Sequence, residues 1–349
     1  MRYTSRDYSR ARESVMPNLF SVDVPIMQTP MRFVSTPELV AAISESGGIG
    51  TLDATELPAK QLAIAIQMVR QATSQPFAVH LTVPQPFEVN QDQVDIVKQA
   101  VRPFFLARQL DEPQLEEPYT ENFAEQMQVI LDEQVPIFQF SCGVPALKWI
   151  AALKERNITI LGTVTHVNEA VLLEKVGVDA LVAQGLEAYG ERVTFIGEVE
   201  QGMITRDILV KQVYEAVRLP VIANGGVATA AEVQSCLAAG AQLVQIGLPF
   251  AACHESDLDE TYLRCVTTAQ PDLVFSNAVT GRLARVARCP LVDELLHYKP
   301  FMLPYPLQYA LMRPLVELGA VYLMESLLQS PQEQSVANFM NSLQLPVAV

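Results

Sequence analysis

The chain has 349 residues, half of them hydrophobic, and its 24 Lys and Arg residues against 39 Asp and Glu residues give a formal net charge of −15. This composition is that of a globular protein, and the length predicts one large domain with a satellite, or two domains. The acidic balance argues against binding to nucleic acid or to an anionic membrane surface, and no apolar run reaches the ~18–20 residues that a membrane helix needs.

The N-terminal segment, residues 1–20, is rich in arginine but lacks the apolar core of a secretory signal, so we expect a leader that precedes the first strand. The five cysteines include no pair at C-x-x-C spacing, which is typical of a reducing cytoplasm rather than of a disulfide framework or a zinc site. No spacing of His, Cys, Asp or Glu indicates a metal centre. We therefore expect a cytoplasmic chain without a metal.

From residue 24 onward, short apolar runs alternate with capped helical patterns. The first helical pattern begins at STPE (35–38), which offers a hydroxyl cap, a proline in the first turn and an early carboxylate. Further helices are predicted at 58–71, 145–156, 167–176 and 229–239. The alternation predicts eight strands, which begin near residues 24, 48, 77, 136, 159, 180, 221 and 243.

Eight buried strands that alternate with helices predict a parallel sheet covered by helices, and eight is the number that closes a (β/α)8 TIM barrel. The alternative, a doubly wound open sheet, would favour a G-x-G-x-x-G turn after the first strand, where this chain has QTPMR (28–32). We therefore predict an α/β fold. The barrel covers residues 21–256 with a helical insertion around 84–135, and a smaller helical C-terminal satellite covers 257–349.

Two glycine turns end the seventh and eighth predicted strands, NGG (224–226) and QIG (245–247). Glycines let backbone N–H groups approach phosphate oxygens. The loops after these two strands, with a short helix N-terminus, are where such barrels bind phosphate. The turns therefore predict a phosphate site, although glycines also serve simple tight turns.

These motifs and their order resemble the nitronate monooxygenase family, formerly grouped as 2-nitropropane dioxygenases. The flavin-dependent enoyl-ACP reductases of bacteria share that fold. The resemblance covers about residues 24–256, and TGRLAR (280–285) matches a further family segment. The segments that carry it include PIMQTPM (25–31), PFAVHL (76–81), QFSCGVP (139–145), PVIANGGVATAAEV (220–233) and LVQIGLPFAACHES (243–256).

The resemblance implies an FMN-dependent oxidoreductase that oxidises a small nitronate-like substrate with O2. It leaves the oligomeric state open, with a homodimer as one option. Pro30 and Met31 match residues beside the isoalloxazine ring, and Gln184 matches a flavin-contacting glutamine. The cofactor-binding residues that the resemblance implies are Pro30, Met31, His80, Gln184, Gly185, Gly225, Gly226, Gln245, Ile246 and Gly247.

The chain also departs from the family pattern. His80 stands where the family usually has a flavin-contacting asparagine, and Glu191 stands where it has a catalytic histidine. Tyr189 replaces a glycine in the same loop. GLPF (247–250) replaces Gly-Thr-Arg-Phe, which removes a hydroxyl donor and a backbone N–H near the phosphate.

The candidate catalytic residues are therefore Glu191, His80 and His166, since both histidines follow predicted strands at the face that carries barrel active sites. Glu191 is either a base or a solvated loop carboxylate paired with Arg192, and His166 is either a substitute imidazole or a helix-capping residue. Two other functions stay open. One is an NAD(P)H-dependent reductase similar to the enoyl-ACP reductases, and the other is a barrel that has lost redox catalysis and serves as a binding protein.

Overall fold

The main feature of the chain is a parallel sheet of eight strands. The computed structural model describes residues 20, 22–256, 258–267, 272–325, 327 and 330–343, so the leader expected for residues 1–20 lies outside them except for Phe20. The strands are β1 (Ile26–Gln28), β2 (Gly50–Asp53), β3 (Phe77–Thr82), β4 (Ile137–Ser141), β5 (Thr159–Val164), β6 (Ala180–Gln184), β7 (Val221–Asn224) and β8 (Leu243–Ile246). Their order in the sheet is β1-β8-β7-β6-β5-β4-β3-β2.

The two ends of this sheet meet and close the barrel. The N–H of Gln28 donates to the carbonyl of Ile49 at 2.8 Å, and the N–H of Ile49 donates to the carbonyl of Ile26 at 3.0 Å. A parallel bridge between Met27 and Ile49 lies at the same seam, beside β1 and β2. The predicted (β/α)8 barrel is therefore confirmed, and each predicted strand is present within a few residues of its expected position.

Helices follow the strands and cover the outside of the barrel. Their starts are set locally: Thr36 caps the first helix by accepting the N–H of Leu39 at 3.1 Å, and Thr229 forms a capping box with Glu232. In chain order the helices are α1 (Pro37–Glu45), α2 (Ala59–Ala72), α3 (Gln91–Leu106), α4 (Phe123–Asp132), α5 (Leu147–Glu155), α6 (Val167–Val176), α7 (Arg206–Ala216), α8 (Ala230–Ala238), α9 (Leu248–Ala251), α10 (Glu260–Thr267), α11 (Pro290–Leu296), α12 (Leu307–Glu317) and α13 (Val336–Ser342).

The long connection between β3 and β4 carries α3 and α4, as its helical patterns predict. Helix α3 packs against the C-terminal part of the chain, where Val97 and Val101 share a buried cluster with Leu291, Leu307 and Leu311. The structure adds a two-stranded antiparallel sheet to the predicted helical satellite, β9 (Leu273–Ser276) with β10 (Ala284–Ala287). Segments of four residues are too short for periodicity to distinguish a strand from a helix.

Among the helices that the structure describes, none has both the length and the apolar character that crossing a membrane requires.

Candidate active site

The register of the barrel strands arranges their inward side chains in two layers, because residues two apart on a strand point to the same face. The lower layer is apolar and includes Ala78, Ile137, Leu161, Val182, Ile222 and Leu243. The next residues on that face are polar and lie at the carboxyl ends of the strands: His80, Gln139, Thr163, Gln184, Asn224 and Gln245. Side-chain hydrogen bonds join this layer, including Gln245 to Gln139 at 2.8 Å.

Two cavities lie above the polar layer. The barrel-mouth cavity, about 80 Å³, is lined by Thr29, Pro30, Asp53, His80, Ser141, Gln184 and Glu191 among others. The outer cavity, about 300 Å³, lies between the barrel and the C-terminal region and is lined by several tyrosines, among them Tyr262, Tyr309 and Tyr322. Arg32, Tyr189 and Leu323 line both cavities, so the outer cavity adjoins the barrel-mouth cavity.

His80 lies within β3 (Phe77–Thr82), so the prediction that it follows this strand is wrong, although it is near the strand's carboxyl end. Its ring is held between two polar side chains from the neighbouring strands. Its Nδ1 lies 3.2 Å from Asp53 Oδ1, and its Nε2 lies 2.9 Å from Ser141 Oγ. Burial alone would raise the pKa of Asp53, but the hydrogen bond from His80 and the positive charge of Arg32 outweigh it and lower that pKa. An anionic Asp53 accepts the Nδ1 proton, which leaves Nε2 as the imidazole's proton-accepting nitrogen.

Glu191 lies at the mouth, but in an ion-pair cluster and not in solvent. Its Oε2 is 3.1 Å from Arg282 Nη1, and its Oε1 is 4.0 Å from Arg32 Nη2. Burial raises the pKa of Glu191, yet Arg282 and Arg32, with hydrogen bonds from Thr280 and Arg282, bring it below the ordinary value. A carboxylate with a lowered pKa is a weak base, so this geometry favours a structural role for Glu191.

Replacing Glu191 with glutamine is expected to lower the free energy of unfolding by about 3 kcal/mol, because it leaves two buried guanidinium groups without their shared carboxylate. Urea unfolding of the wild type, Glu191→Gln and the double variant Glu191→Gln/Arg282→Met measures this. The double variant should recover part of the loss, since one uncompensated charge is gone. Equal stability of the wild type and Glu191→Gln would contradict the ion-pair role.

Arg192, expected as the partner of Glu191, instead bonds to backbone carbonyls. Its guanidinium donates to Gly185 O at 2.6 Å, Gln184 O at 3.0 Å and Gly202 O at 2.7 Å. The pairing that the sequence suggested is therefore wrong: neighbouring residues in an extended segment point to opposite sides, and Glu191 faces the mouth while Arg192 faces the loop behind it.

His166 lies outside both cavities. It is the N-cap residue of α6, and its Nε2 lies 2.9 Å from the carbonyl of Ile196. The adjacent Glu169 is fully buried and accepts hydrogen bonds from the N–H groups of Thr165, Phe195 and Ile196 at 2.6, 2.6 and 3.1 Å. These contacts fix the loop that follows β6. The geometry therefore favours the interpretation of His166 as a residue at the start of a helix over its interpretation as a catalytic imidazole.

The residues expected to bind a cofactor lie in three places. Pro30, His80 and Gln184 line the barrel-mouth cavity, and Met31 is fully buried in the core beside it. Gln245 and Ile246 are buried inside the barrel wall, where Ile246 O accepts the N–H of Thr29. The glycines Gly185, Gly225, Gly226 and Gly247 end strands β6, β7 and β8.

The two glycine turns converge on an anion that belongs to the chain itself. Gly226 N–H donates to Glu325 Oε1 at 2.8 Å, and Leu248 N–H donates to Glu325 Oε2 at 2.9 Å. Gly226 has a φ of 64°, a left-handed conformation that favours glycine. The donors expected for a phosphate are therefore present and hold a carboxylate.

Sequence reasoning missed Asp53, Ser141, Arg32 and Glu325. Asp53 and Ser141 each end a barrel strand, so the strand-end argument applied to His80 would have found them as well. Arg32 follows β1 by only a few residues. Glu325 lies in a segment with no helix or strand assignment, and no local motif indicates its contact with the barrel.

Comparison with known proteins places this geometry in a family. The nitronate monooxygenase profile matches residues 13–340. The chain is 35% identical over 292 residues to a probable nitronate monooxygenase of Staphylococcus aureus (strain MSSA476), covering 83% of this chain and 82% of that protein. The chain belongs to the nitronate monooxygenase family.

Solved structures agree with this assignment. A nitroalkane oxidase from Streptomyces ansochromogenes superposes with a TM-score of 0.86 at 29% identity, covering 95% of this chain and 97% of that one. FabK from Thermotoga maritima superposes with a TM-score of 0.73 at 26% identity, covering 94% of each chain. The chain is accordingly an oxidoreductase of a flavin-dependent nitronate monooxygenase family.

The donor set of the glycine turns fits a flavin phosphate, since two backbone N–H groups already converge on one buried carboxylate. The structure has no open space for the flavin, because Glu325 occupies both N–H donors and Leu323 lines the barrel mouth. A cavity of about 80 Å³ is smaller than the ~300–1,000 Å³ typical of ligand sites. Binding of a flavin phosphate at these donors therefore requires that the Glu325 side chain leave them, and binding of the flavin ring requires a wider mouth beside Leu323.

Proposed function

We propose that the chain is an FMN-dependent oxidoreductase that oxidises a small nitronate, or another compound with an acidic carbon, using O2. The observation that carries this proposal is the arrangement at the barrel mouth. An oriented imidazole on β3 faces the same mouth at which the turns after β7 and β8 present their anion-binding N–H groups.

In this proposal Gly226 and Leu248 hold the phosphate of FMN through their N–H groups. Pro30, His80 and Gln184 border the space for the ring at the mouth. When bound, FMN accepts electrons from the substrate and passes them to O2. The protein's part is to place the substrate, exclude bulk water and handle the proton.

His80 is proposed as the proton acceptor. Asp53 fixes the ring through Nδ1, and among the described residues the Ser141 hydroxyl is the hydrogen-bond partner of Nε2. A hydroxyl can rotate and release Nε2, which can then accept the proton of an acidic C–H bond while the electron pair of that bond stays on the substrate as its anion. An oriented neutral imidazole is well suited to accept a proton near neutral pH.

Arg32 is proposed as the partner of an anionic substrate. Its guanidinium lies at the junction of the two cavities, 4.1 Å above the ring of Tyr309. Its buried Nε has no hydrogen-bond partner among the residues that the structure describes, although Glu56 and Glu191 lie near the other end of the group. A buried cation with a free donor stabilises an anion that enters from the outer cavity.

The test is an anaerobic titration of the FMN-loaded full chain with a nitroalkane anion, followed by admission of air. Bleaching of the flavin by the anion, with O2 uptake on reoxidation, is the expected result. Bleaching by NAD(P)H but not by the anion would support a reductase instead. A loaded flavin that neither compound bleaches would contradict the proposal.

We also propose that the chain is cytoplasmic. All five of its cysteines are free thiols, and Cys142, Cys236 and Cys253 are buried. Unpaired cysteines are typical of a reducing compartment.

A further inference from the structure

Glu325 is an unusual feature of the site because it is a carboxylate, 3% exposed, bound by main-chain donors from two different turns. It lies between α12 and α13, 99 residues beyond Gly226 and 77 beyond Leu248 in the chain. Each of its oxygens takes one N–H group. The carboxylate is therefore fully engaged in the place where the phosphate of a flavin would be held.

The neighbouring backbone fixes Glu325 in this place. The N–H of Met324 donates to Arg285 O at 3.0 Å, and the carbonyl of Met324 accepts the N–H of Gly190 at 2.9 Å. The carbonyl of Leu323 accepts the hydroxyl of Tyr262 at 2.8 Å. These bonds attach the segment to β10, to the loop after β6 and to α10, so the contact of Glu325 with the turns is built into the fold.

The main chain of the turn after β8 lies very close to this carboxylate. A Cβ added to Gly247 would lie 2.6 Å from Glu325 Oε2, a distance at which something must shift. A side chain at this position would therefore push the Glu325 carboxylate out of its present place. A second anion has no room beside the first and would meet its charge at short range.

Two charged side chains and one neutral phenol lie around Glu325. Arg206 donates hydrogen bonds to the carbonyls of Gly225 and Gly226. The positive charges of Arg206 and Arg285 favour the anionic form of Glu325. The phenol of Tyr189, on the loop after β6, stays protonated. Burial is the larger effect and raises the pKa of Glu325 to about 7. The carboxylate therefore changes its charge near neutral pH while its neighbours keep theirs.

We infer that Glu325 competes with the flavin phosphate for the N–H groups of Gly226 and Leu248, and so determines how strongly the chain distinguishes FMN from flavin without a phosphate. The inference rests on the proposed function, since it concerns the same flavin site. FMN must displace the carboxylate from both donors, whereas riboflavin has no phosphate and leaves Glu325 in place. Removing the charge of Glu325 should therefore strengthen the binding of FMN and leave the binding of riboflavin unchanged.

The experiment is a pair of fluorescence-quenching titrations of the full chain, with FMN and with riboflavin, at about pH 8 where Glu325 is anionic. Glu325→Gln is expected to tighten FMN binding about 10- to 100-fold, the range typical of charge-assisted hydrogen bonds, and to leave riboflavin binding unchanged. Glu333→Gln, an exposed carboxylate later in the same connection, is the matched control and should behave as the wild type.

The wild type alone provides a second measurement that needs no substitution. Lowering the pH from about 8 to about 6.5 protonates Glu325 while the FMN phosphate, with its second pKa near 6, stays largely dianionic. The preference of the wild type for FMN over riboflavin should rise across this range, and that of Glu325→Gln should not. The phosphate's own titration is common to both proteins.

Two outcomes would overturn the inference, and they differ in what they say of the proposed function. At each pH, the ratio of FMN affinity to riboflavin affinity can be compared between the wild type and Glu325→Gln. If the two proteins have the same ratio throughout, Glu325 does not compete with the phosphate, and the proposed flavin-dependent function is unaffected. If neither protein quenches the fluorescence of either flavin, the inference and the proposed function both fail.

Discussion

Replacing His80 with glutamine is expected to lower the turnover of a neutral nitroalkane, whose C–H proton must be removed, by about 10² to 10⁴-fold, the usual contribution of a general base. FMN affinity should stay within the same range, because the phosphate donors lie in the turns after β7 and β8, across the mouth from β3. Glutamine keeps a polar group near Asp53 and Ser141 but cannot accept a proton. The measurement is the steady-state rate of O2 uptake by the loaded protein.

His166→Gln is the matched control, since His166 also follows a barrel strand but lies outside both cavities. Its turnover should equal that of the wild type. The assignment of the base to His80 would be wrong if the two histidine variants lost activity equally, or if only His166→Gln lost it.

The second large effect concerns folding. Glu169→Gln is expected to lower the free energy of unfolding by about 2–4 kcal/mol. The carboxylate accepts the N–H groups of Thr165, Phe195 and Ile196, and an amide replaces one acceptor oxygen with a donor that faces those N–H groups. The result should be a lower urea midpoint and faster proteolysis of the loop after β6.

Glu198→Gln provides the control, because Glu198 lies exposed in the same loop. Its midpoint should match that of the wild type. A Glu169→Gln protein with the wild-type midpoint would show that the three N–H groups find other acceptors, and would contradict the role of Glu169 as the anchor of this loop.

The barrel could be predicted because its signals are local. Each strand is a short buried run, and caps such as Thr36 and Thr229 mark helix starts within a few residues. The satellite was harder to predict, since β9 and β10 are only four residues each and their pairing depends on the turn between them. Local signals thus define the repeating unit, and the additions to the barrel depend on contacts between distant segments.

The candidate site divides in the same way. His80 and the glycine turns were found from strand ends, which the sequence alone places on one face of the barrel. The ion pairs around Glu191 could not be predicted in this way, because Arg282 is 91 residues away in the chain. Glu325 lies 99 residues from Gly226, and no spacing rule joins a carboxylate in an irregular segment to a turn of the barrel.

The central claim, that the barrel mouth of this chain binds FMN, is tested most directly by its absorbance spectrum. The full chain is equilibrated with excess FMN at about pH 6.5, where Glu325 is largely protonated, and freed of unbound flavin; it is then denatured to identify the released chromophore. If the barrel mouth binds FMN, the protein shows a flavin spectrum and releases FMN stoichiometrically. A colourless protein that releases no flavin would contradict it.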